Sequence, residues 1–366
     1  MKIGILTFHC AHNYGAVLQT YALQEILKTM GHEVFIIDYR PKYIVDVYKI
    51  FNIRRFISKS PITSLKKTLN EILNFRNRIF RYYKFNRFIK SYINLSHERT
   101  VSNIYDAYII GSDQVWNPDI TGGVFDKVFF AEFNFSKEKK RILSYAASME
   151  KVNLTENERN YLTSTLLNFN SLGVRESSLK ELLQPLTSKK IEVVLDPTLL
   201  LSAHYWNKLI HYKPKTGKKY VLVYHTRVDK FTISVAKKIA QKIDAEIIEV
   251  FATIEYKCET SLIPDASPEE FLGLIKYASY VVTTSFHGTA FSLVFGKSFY
   301  YIQLNDNKDN RVISLLDQIN ASDRVINKNN LFDIESISIK ENSFEDKLLN
   351  LRSKSLSYLI NSLKIG

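Results

Sequence analysis

The sequence predicts an α/β protein with two similar halves, each folded around a parallel sheet. Three observations support this fold class. The first forty residues read as strand, helix and strand, and a second alternating series begins after residue 193. Such alternation is typical of parallel sheets, because a crossover between parallel strands usually contains a helix. The length of 366 residues also suits two domains of roughly 100 to 200 residues each.

The first unit begins with the apolar segment Ile3 to Phe8, followed by a polar loop from His9 to Gly15. Apolar residues at helical spacing then run from Ala16 to Met30, and Glu33 to Asp38 forms a second strand. The loop after the first strand of such a unit faces the ligand side of the sheet. We therefore expect the loop to line a binding site. The loop lacks the complete Gly-x-Gly-x-x-Gly pattern that would indicate a dinucleotide, so we expect it to bind substrate. The alternative is a tight turn in which Asn13 and Gly15 supply positive φ angles.

Residues 44–93 are rich in Tyr, Phe, Ile, Lys and Arg, and Pro61 is almost the only turn signal among them. We predict an insertion of two long amphipathic helices, here called the basic insertion and placed at about 44–95. Residues 41–100 hold 14 Lys or Arg and three acids, a local charge of +11 within a total of +13. The insertion is either a solvated helical hairpin or a face for an anionic membrane surface, and we favour the second.

Three further apolar strands run into polar loops. Tyr108 to Ile110 leads into Gly111 to Pro118, and Ile142 to Ala147 leads into Ser148. Leu172 to Val174 leads into Arg175, before a helix from Ser178 to Leu183. Because the carboxyl ends of parallel strands lie at the same edge of a sheet, we expect these loops to open together.

The second half continues the alternation. Ser267, Pro268 and Glu270 form a strong helix start, with an N-cap, a proline at the first helical position and a capping glutamate. We expect domains at residues 1–185 and 186–335, and a helical tail at 336–366 that packs back on the first domain. The predicted elements are strands Tyr220 to Tyr224, Glu246 to Val250 and Tyr280 to Thr284, and helices Lys230 to Ile243 and Pro268 to Ala278.

Composition excludes several classes of protein. No window approaches the ~18 consecutive apolar residues of a membrane span. The two cysteines, Cys10 and Cys258, are too few for a disulfide framework and have no metal-ligand spacing. His9 interrupts the N-terminal apolar stretch before a signal-peptide core could form. We expect a cytoplasmic protein, peripheral at the inner face of the cell membrane if the basic insertion binds lipid, with no metal site and no cofactor.

The segment from Ser285 to Gly288 is the strongest candidate site. It lies between the buried strand ending at Thr284 and an apolar helix predicted from Thr289 to Phe295. A helix N-terminus offers free N–H groups and partial positive charge to an anion. Gly288 permits close approach, and His287 can transfer a proton or form a hydrogen bond. The alternative is that His287 merely caps the helix or packs between the sheets.

Two arginines also follow predicted strands. Arg175 comes directly after Val174, and Arg311 follows a polar loop after the strand Phe299 to Leu304. A guanidinium group in either place could bind a carboxylate through two parallel hydrogen bonds. The alternative for each is an ordinary solvated surface arginine.

Together, five segments in unbroken order resemble the polysaccharide pyruvyl transferase family. The resemblance implies a glycosyltransferase-B-like pair of Rossmann-like domains facing a cleft. It also implies transfer of a pyruvyl group from phosphoenolpyruvate to a sugar of a surface or capsular polysaccharide, forming a ketal without metal or nucleotide. The segments are Asn13 to Gln19, Gly111 to Pro118, Val174 to Ser177, Asp196 to Thr198 and Ser285 to Ala290.

The same resemblance implies roles for individual residues. His287 would be the general acid/base or phosphate partner, and Arg175, Ser285, Gly288 and Arg311 would bind the donor. Members of the family often carry Arg two residues before the histidine, where this chain has Ser285. Either Arg311 or Arg227 would supply the charge, or the chain would bind the donor differently, or it would act on a related substrate that needs less charge. We expect the following residues to bind the acceptor or line the cleft: Asn13, Tyr14, Gly15, Gln19, Ser112, Asp113 and Gln114.

The acceptor saccharide could be linked to a lipid diphosphate, which the basic insertion would meet at the membrane. Two other functions remain as alternatives. A sugar-nucleotide-dependent glycosyltransferase would share the cleft but would need a base and ribose site in the second half. A non-catalytic basic protein would bind lipid or nucleic acid, but the aromatic residues of the insertion look packed on helices instead of forming a stacking platform. We therefore expect no nucleic-acid partner.

Overall fold

The computed structural model describes residues 1–50, 61–134, 140–150, 153–214, 217–226, 229–252, 260–305, 309–328 and 344–364, with the backbone alone at 61–71. Within these ranges, twelve strands form two six-stranded parallel sheets. The predicted α/β fold with two parallel sheets is therefore confirmed.

The first sheet has the strand order β2-β1-β3-β4-β5-β6, and all its strand pairs are parallel. Its order reverses between β1 and β3, so the chain leaves these two neighbouring strands in opposite directions. β6 lies beyond residue 185, and the sheet therefore ends at Val193. The strands are β1 Lys2–Leu6, β2 Glu33–Ile36, β3 Ala107–Ile110, β4 Arg141–Ala147, β5 Ser171–Val174 and β6 Ile191–Val193.

The second sheet has the order β12-β11-β10-β7-β8-β9, again all parallel. Its order reverses between β7 and β10. Crevices at such reversal points, outside the carboxyl ends of the strands, are where open α/β sheets bind ligands. The strands are β7 Tyr220–His225, β8 Glu246–Phe251, β9 Ser261–Leu262, β10 Tyr280–Thr283, β11 Phe299–Ile302 and β12 Val325–Ile326.

Helices cover the sheets, and one apolar core runs through both halves of the molecule. Tyr14 of the first half stacks on Phe271 of the second, with ring centroids 4.3 Å apart. The capping box of Ser267 and Glu270 is present as predicted. The helices are α1 Tyr14–Thr29, α2 Lys42–Tyr48, α3 Pro61–Tyr92, α4 Glu156–Thr165, α5 Ser177–Leu183, α6 Ala203–Asn207, α7 Lys230–Ile243, α8 Pro268–Tyr277, α9 Phe286–Val294, α10 Asp309–Gln318 and α11 Glu345–Leu363.

The basic insertion differs from the predicted pair of long helices. α2 has only seven residues, whereas α3 has 32 and begins at Pro61, since proline is favoured in the first turn of a helix. Side chains of α3 also contact the second half, whereas a solvated hairpin would make no such contacts. Arg81 donates hydrogen bonds to the carbonyl oxygens of Phe251 (3.1 Å) and Ala252 (2.6 Å), and Lys84 pairs with Glu270 at 2.9 Å.

α11 follows the second sheet in sequence but packs on the first. The Tyr358 hydroxyl donates to the carbonyl oxygen of Ser144 in β4 (2.8 Å), and the Ser355 hydroxyl accepts from the Leu195 amide (2.9 Å). Gly173 lets the Tyr358 ring approach β5, because a Cβ there would lie 2.8 Å from it. No helix in the described ranges has the length and apolar composition of a membrane span.

Candidate active site

The carboxyl ends of both sheets enclose a cavity of about 280 Å³. Loops following β1, β3, β7 and β10 contribute to its wall, so the cavity lies at the reversal points of both strand orders. Phe8, Ile44, Tyr48 and Phe286 supply apolar surface. The polar residues of the wall are Asn13, Asp113, Gln114, Thr226, Thr284, Ser285, His287 and Arg311.

His287 is the second residue of α9, which begins at Phe286 and not at Thr289 as the sequence suggested. The earlier start has a local cause, because Ser285 is the N-cap and its hydroxyl accepts from the Gly288 amide (3.4 Å). His287 is 8% exposed, and its Nε2 has no hydrogen-bond partner in the described part of the chain. An imidazole that can transfer protons is thus buried at a helix N-terminus.

Two glycines allow this placement. A Cβ on Gly15 would overlap Nδ1 of His287, so α1 can approach the imidazole only with glycine at this position. Gly15 lies inside α1, and Asn13 caps that helix with φ −120°. The alternative interpretation of a turn with positive φ angles is therefore wrong for both residues. Gly288 serves packing as well, because a Cβ there would overlap the Thr283 hydroxyl.

Asp196, which immediately follows the first sheet, lies fully buried behind His287. Its Oδ2 is 3.7 Å from His287 Nε2 and accepts hydrogen bonds from Arg175 (2.8 Å) and Ser112 (3.2 Å). Its Oδ1 accepts from the amide and hydroxyl of Thr198. Burial alone raises the pKa of this carboxyl, but the adjacent His287 imidazole and Arg175 guanidinium hold it well below its usual range. Asp196 is therefore a carboxylate that faces the imidazole.

Arg175 lies behind the cavity and is not part of its wall. Its guanidinium pairs with Asp196, lies 3.5 Å from Asp113 and 3.8 Å from Glu176, and stacks over the Phe286 ring at 4.8 Å. Burial lowers the pKa of Arg175, but these three carboxylates more than offset it, and the pKa is raised. The guanidinium is thus a permanent positive charge between Asp196 and Asp113.

Arg311 projects from α10 into the cavity, where a carboxylate of the other half holds it. Its Nη2 donates to Oε1 of Glu150 at 2.7 Å, and Gln114 donates to the same oxygen. The contact joins the two halves across the cleft. Arg227, the other expected cation, lies outside the described residues.

The remaining expected site residues have internal partners. The Tyr14 hydroxyl donates to the Ala266 carbonyl oxygen (2.9 Å), and Gln19 donates to the Thr7 hydroxyl (2.7 Å). Together with Ser112 and Arg175, they support the wall from behind. The structure brings six of the expected residues together at the cavity surface: Asn13, Asp113, Gln114, Ser285, His287 and Arg311.

Asp196 and Glu150 were not singled out as site residues from the sequence. Asp196 could have been, since Asp-Pro-Thr after a strand is an N-cap pattern and also one of the five quoted segments. Glu150 carries no such signal. No three His, Cys, Asp or Glu side chains in the described ranges converge as metal ligands would. Cys10 is free and buried, and Cys258 lies outside those ranges.

A family model described as polysaccharide pyruvyl transferase matches residues 13–306. The chain belongs to the polysaccharide pyruvyl transferase family. The match includes every residue of the cavity wall except Phe8 and Ala11, which precede it, and Arg311 of α10, which follows it. Comparison with curated proteins gives no significant match.

Solved structures of similar fold are distant in sequence. UDP-N-acetylglucosamine 2-epimerase from Rickettsia bellii aligns over 98% of this chain and 96% of its own, with 9% identity and a TM-score of 0.51. The Methanocaldococcus jannaschii UDP-GlcNAc 2-epimerase aligns over 100% of both chains, with 13% identity and a TM-score of 0.47. An O-GlcNAc transferase from Thermobaculum terrenum covers 99% of this chain and 63% of its own, with 11% identity and a TM-score of 0.42. At these identities the likeness concerns the fold alone, two Rossmann-like domains of the glycosyltransferase-B type.

Within this chain, Ser285 serves the helix N-terminus. Its hydroxyl caps α9, and its carbonyl oxygen accepts from the Thr289 amide at 3.0 Å. Among the described residues, Arg311 contributes positive charge on the surface of the cavity and Arg175 contributes it from behind.

Proposed function

We propose that the protein transfers a pyruvyl group from phosphoenolpyruvate to a sugar of a surface or capsular polysaccharide repeat unit, forming a ketal. The observation that carries the proposal is the imidazole of His287, which lies in the wall of the cavity while its Nε2 faces the buried Asp196 carboxylate at 3.7 Å. Such a group can give a proton to a bound substrate and take one back. The family match supports the same chemistry.

The reaction needs few groups. His287 protonates the methylene carbon of phosphoenolpyruvate, which becomes a methyl group and leaves positive charge at C2. One sugar hydroxyl attacks C2 and loses its proton to His287. The second hydroxyl then forms its own bond to C2 as the C2–O bond to phosphate breaks, and phosphate departs with the proton of that hydroxyl, which completes the ketal. The sum is phosphoenolpyruvate plus a diol giving a pyruvate ketal plus phosphate, and every proton is accounted for.

The donor would lie between α9 and α10. The N-terminal N–H groups of α9, near Ser285 and Gly288, suit the phosphate, and Arg311 suits the carboxylate. Arg175 would contribute its charge through Asp196 and Asp113 without touching the donor. The acceptor would enter from the opposite wall, where Asn13 and Gln114 offer amides to sugar hydroxyls.

The assay is phosphate release from phosphoenolpyruvate with a panel of sugar acceptors that includes galactosides. We expect His287→Ala to abolish release, while His97→Ala, which removes an exposed histidine outside the cavity wall, keeps it. Release that persists in His287→Ala would refute the role of His287. Thermal stabilisation by a nucleotide sugar, and none by phosphoenolpyruvate, would instead favour glycosyl transfer.

A further inference from the structure

The outer face of α3 exposes large apolar side chains. Its members are Ile72, Leu73, Phe75, Phe80 and Tyr83, each between 43% and 64% exposed. Arg76, Arg87 and Lys90 are exposed on the same helix, and the Arg76 guanidinium lies over the Phe80 ring at 5.9 Å. Positions 72, 76, 80, 83, 87 and 90 recur every three or four residues, so they share one side of the helix.

The opposite side of α3 anchors the helix to the rest of the chain. Phe85 and Phe88 are fully buried there, and Arg81 hydrogen bonds to two carbonyl oxygens of the second half. The outer face is therefore not needed to hold α3 in place. Contiguous exposed apolar surface of this kind marks a contact with something outside the chain.

From these observations we propose that the outer face of α3 docks on an anionic phospholipid membrane. No Asp or Glu occurs from residue 72 to 92, so a second copy of the same face would meet like charge. Lipid headgroups carry the opposite charge, and the acyl boundary accepts Phe80, Tyr83 and Ile72. Apolar side chains interleaved with cations on a helix are typical of interfacial membrane binding.

Nucleic acid fits the outer face less well. Phosphate groups would pair with the arginines. However, a phosphate backbone offers no apolar surface on which aliphatic side chains such as Ile72 and Leu73 could pack. The inner face of α3 also contacts the loop before α1, where Phe85 stacks with His12 at 5.4 Å. Docking would therefore hold the active-site cavity close to the membrane surface.

The test is co-sedimentation of the full-length protein with vesicles. We expect binding to phosphatidylcholine vesicles containing phosphatidylglycerol and little binding to phosphatidylcholine alone. Arg87→Glu/Lys90→Glu and, separately, Phe80→Ser/Tyr83→Ser should each weaken binding by about tenfold or more. Lys230→Glu/Lys238→Glu and Val124→Ser/Leu167→Ser are matched controls at exposed positions elsewhere, and they should bind as the wild type does.

Each other outcome would overturn the proposal: equal binding to both vesicles, loss in the controls as large as in the α3 variants, or retention of a DNA duplex without retention of vesicles. Circular dichroism checks that every variant is folded. Because the readout is lipid binding, the result does not depend on the proposed pyruvyl transfer.

Discussion

The imidazole Nε2 of His287 lies 3.7 Å from Oδ2 of Asp196, although α9 packs on the second sheet and Asp196 follows the last strand of the first. The same carboxylate oxygen accepts from Arg175. The proposed acid/base group of one half therefore faces a carboxylate that the other half fixes in place. The proposed catalysis would depend on the packing of the two halves.

The first prediction concerns this pair. Asp196→Asn keeps the shape but removes the charge that faces His287, and we expect kcat to fall by about 10⁴-fold, as in other His–Asp pairs. KM should change little, and the pH profile of kcat should shift. Because Arg175 loses a buried partner, the free energy of unfolding should also fall, by about 3 kcal/mol or more.

Ser112→Ala is the control for this variant, because it removes a hydrogen bond to the same oxygen and leaves the charge. It should keep most of the activity. If the folded Asp196→Asn variant had the kcat of the wild type, the carboxylate would have only a structural role.

The second prediction concerns Gly15. In Gly15→Ala the new methyl group overlaps the His287 ring, and the imidazole must move. We expect kcat/KM for phosphoenolpyruvate to fall by about 100-fold or more, since small misplacements of a reacting group have effects of this size. Gly217→Ala, which meets nothing within 4 Å, should behave as the wild type in the same steady-state assay. Full activity in Gly15→Ala would mean that the ring has no fixed position.

The third prediction concerns Arg311 and its partner Glu150. An anionic donor that binds Arg311 must replace Glu150, which now lies 2.7 Å away. Glu150→Gln should therefore lower KM for phosphoenolpyruvate by about fivefold, and Arg311→Ala should raise it by about tenfold or more. The control is Glu192→Gln, which neutralises a carboxylate of β6 that pairs with Lys190. An unchanged KM in both cavity variants would place the donor elsewhere.

The fourth prediction concerns the pH dependence of stability. Burial, with Arg81 and Arg40, lowers the pKa of His12 to about 4, whereas the unfolded value is 6.5. Between these values the unfolded chain binds the proton and the folded protein does not, so stability falls as pH falls from 6.5 to 4. The loss should approach about 3 kcal/mol.

His12→Phe should remove this part of the pH dependence, because the ring still fits against Phe85 and Tyr82. Urea unfolding of both proteins at pH 7 and pH 4.5 measures the difference. Equal losses in the two proteins would show that His12 is already protonated, or exposed, in the folded state.

Short-range patterns predicted most of the fold. Both ends of α7 were predicted at the observed residues, and the ends of β7 and β10 were predicted to within one residue. These predictions succeeded because apolar periodicity and helix caps act locally. The first of the two long helices predicted in the basic insertion was wrong, since α2 has only seven residues; continuous aromatic and basic residues do not reveal where one helix ends. The site could be predicted only in part from the sequence. Glu150 and Arg311 are 161 residues apart in the chain, and their contact depends on how the two halves dock.

The return of α11 to the first sheet has a consequence for synthesis of the chain. Tyr358 covers β4 and β5, and Ser355 satisfies the Leu195 amide. On the ribosome, the entire second sheet is made before these residues appear. The half that is translated first is thus the last to be finished, and until then it carries an uncovered patch over two of its central strands.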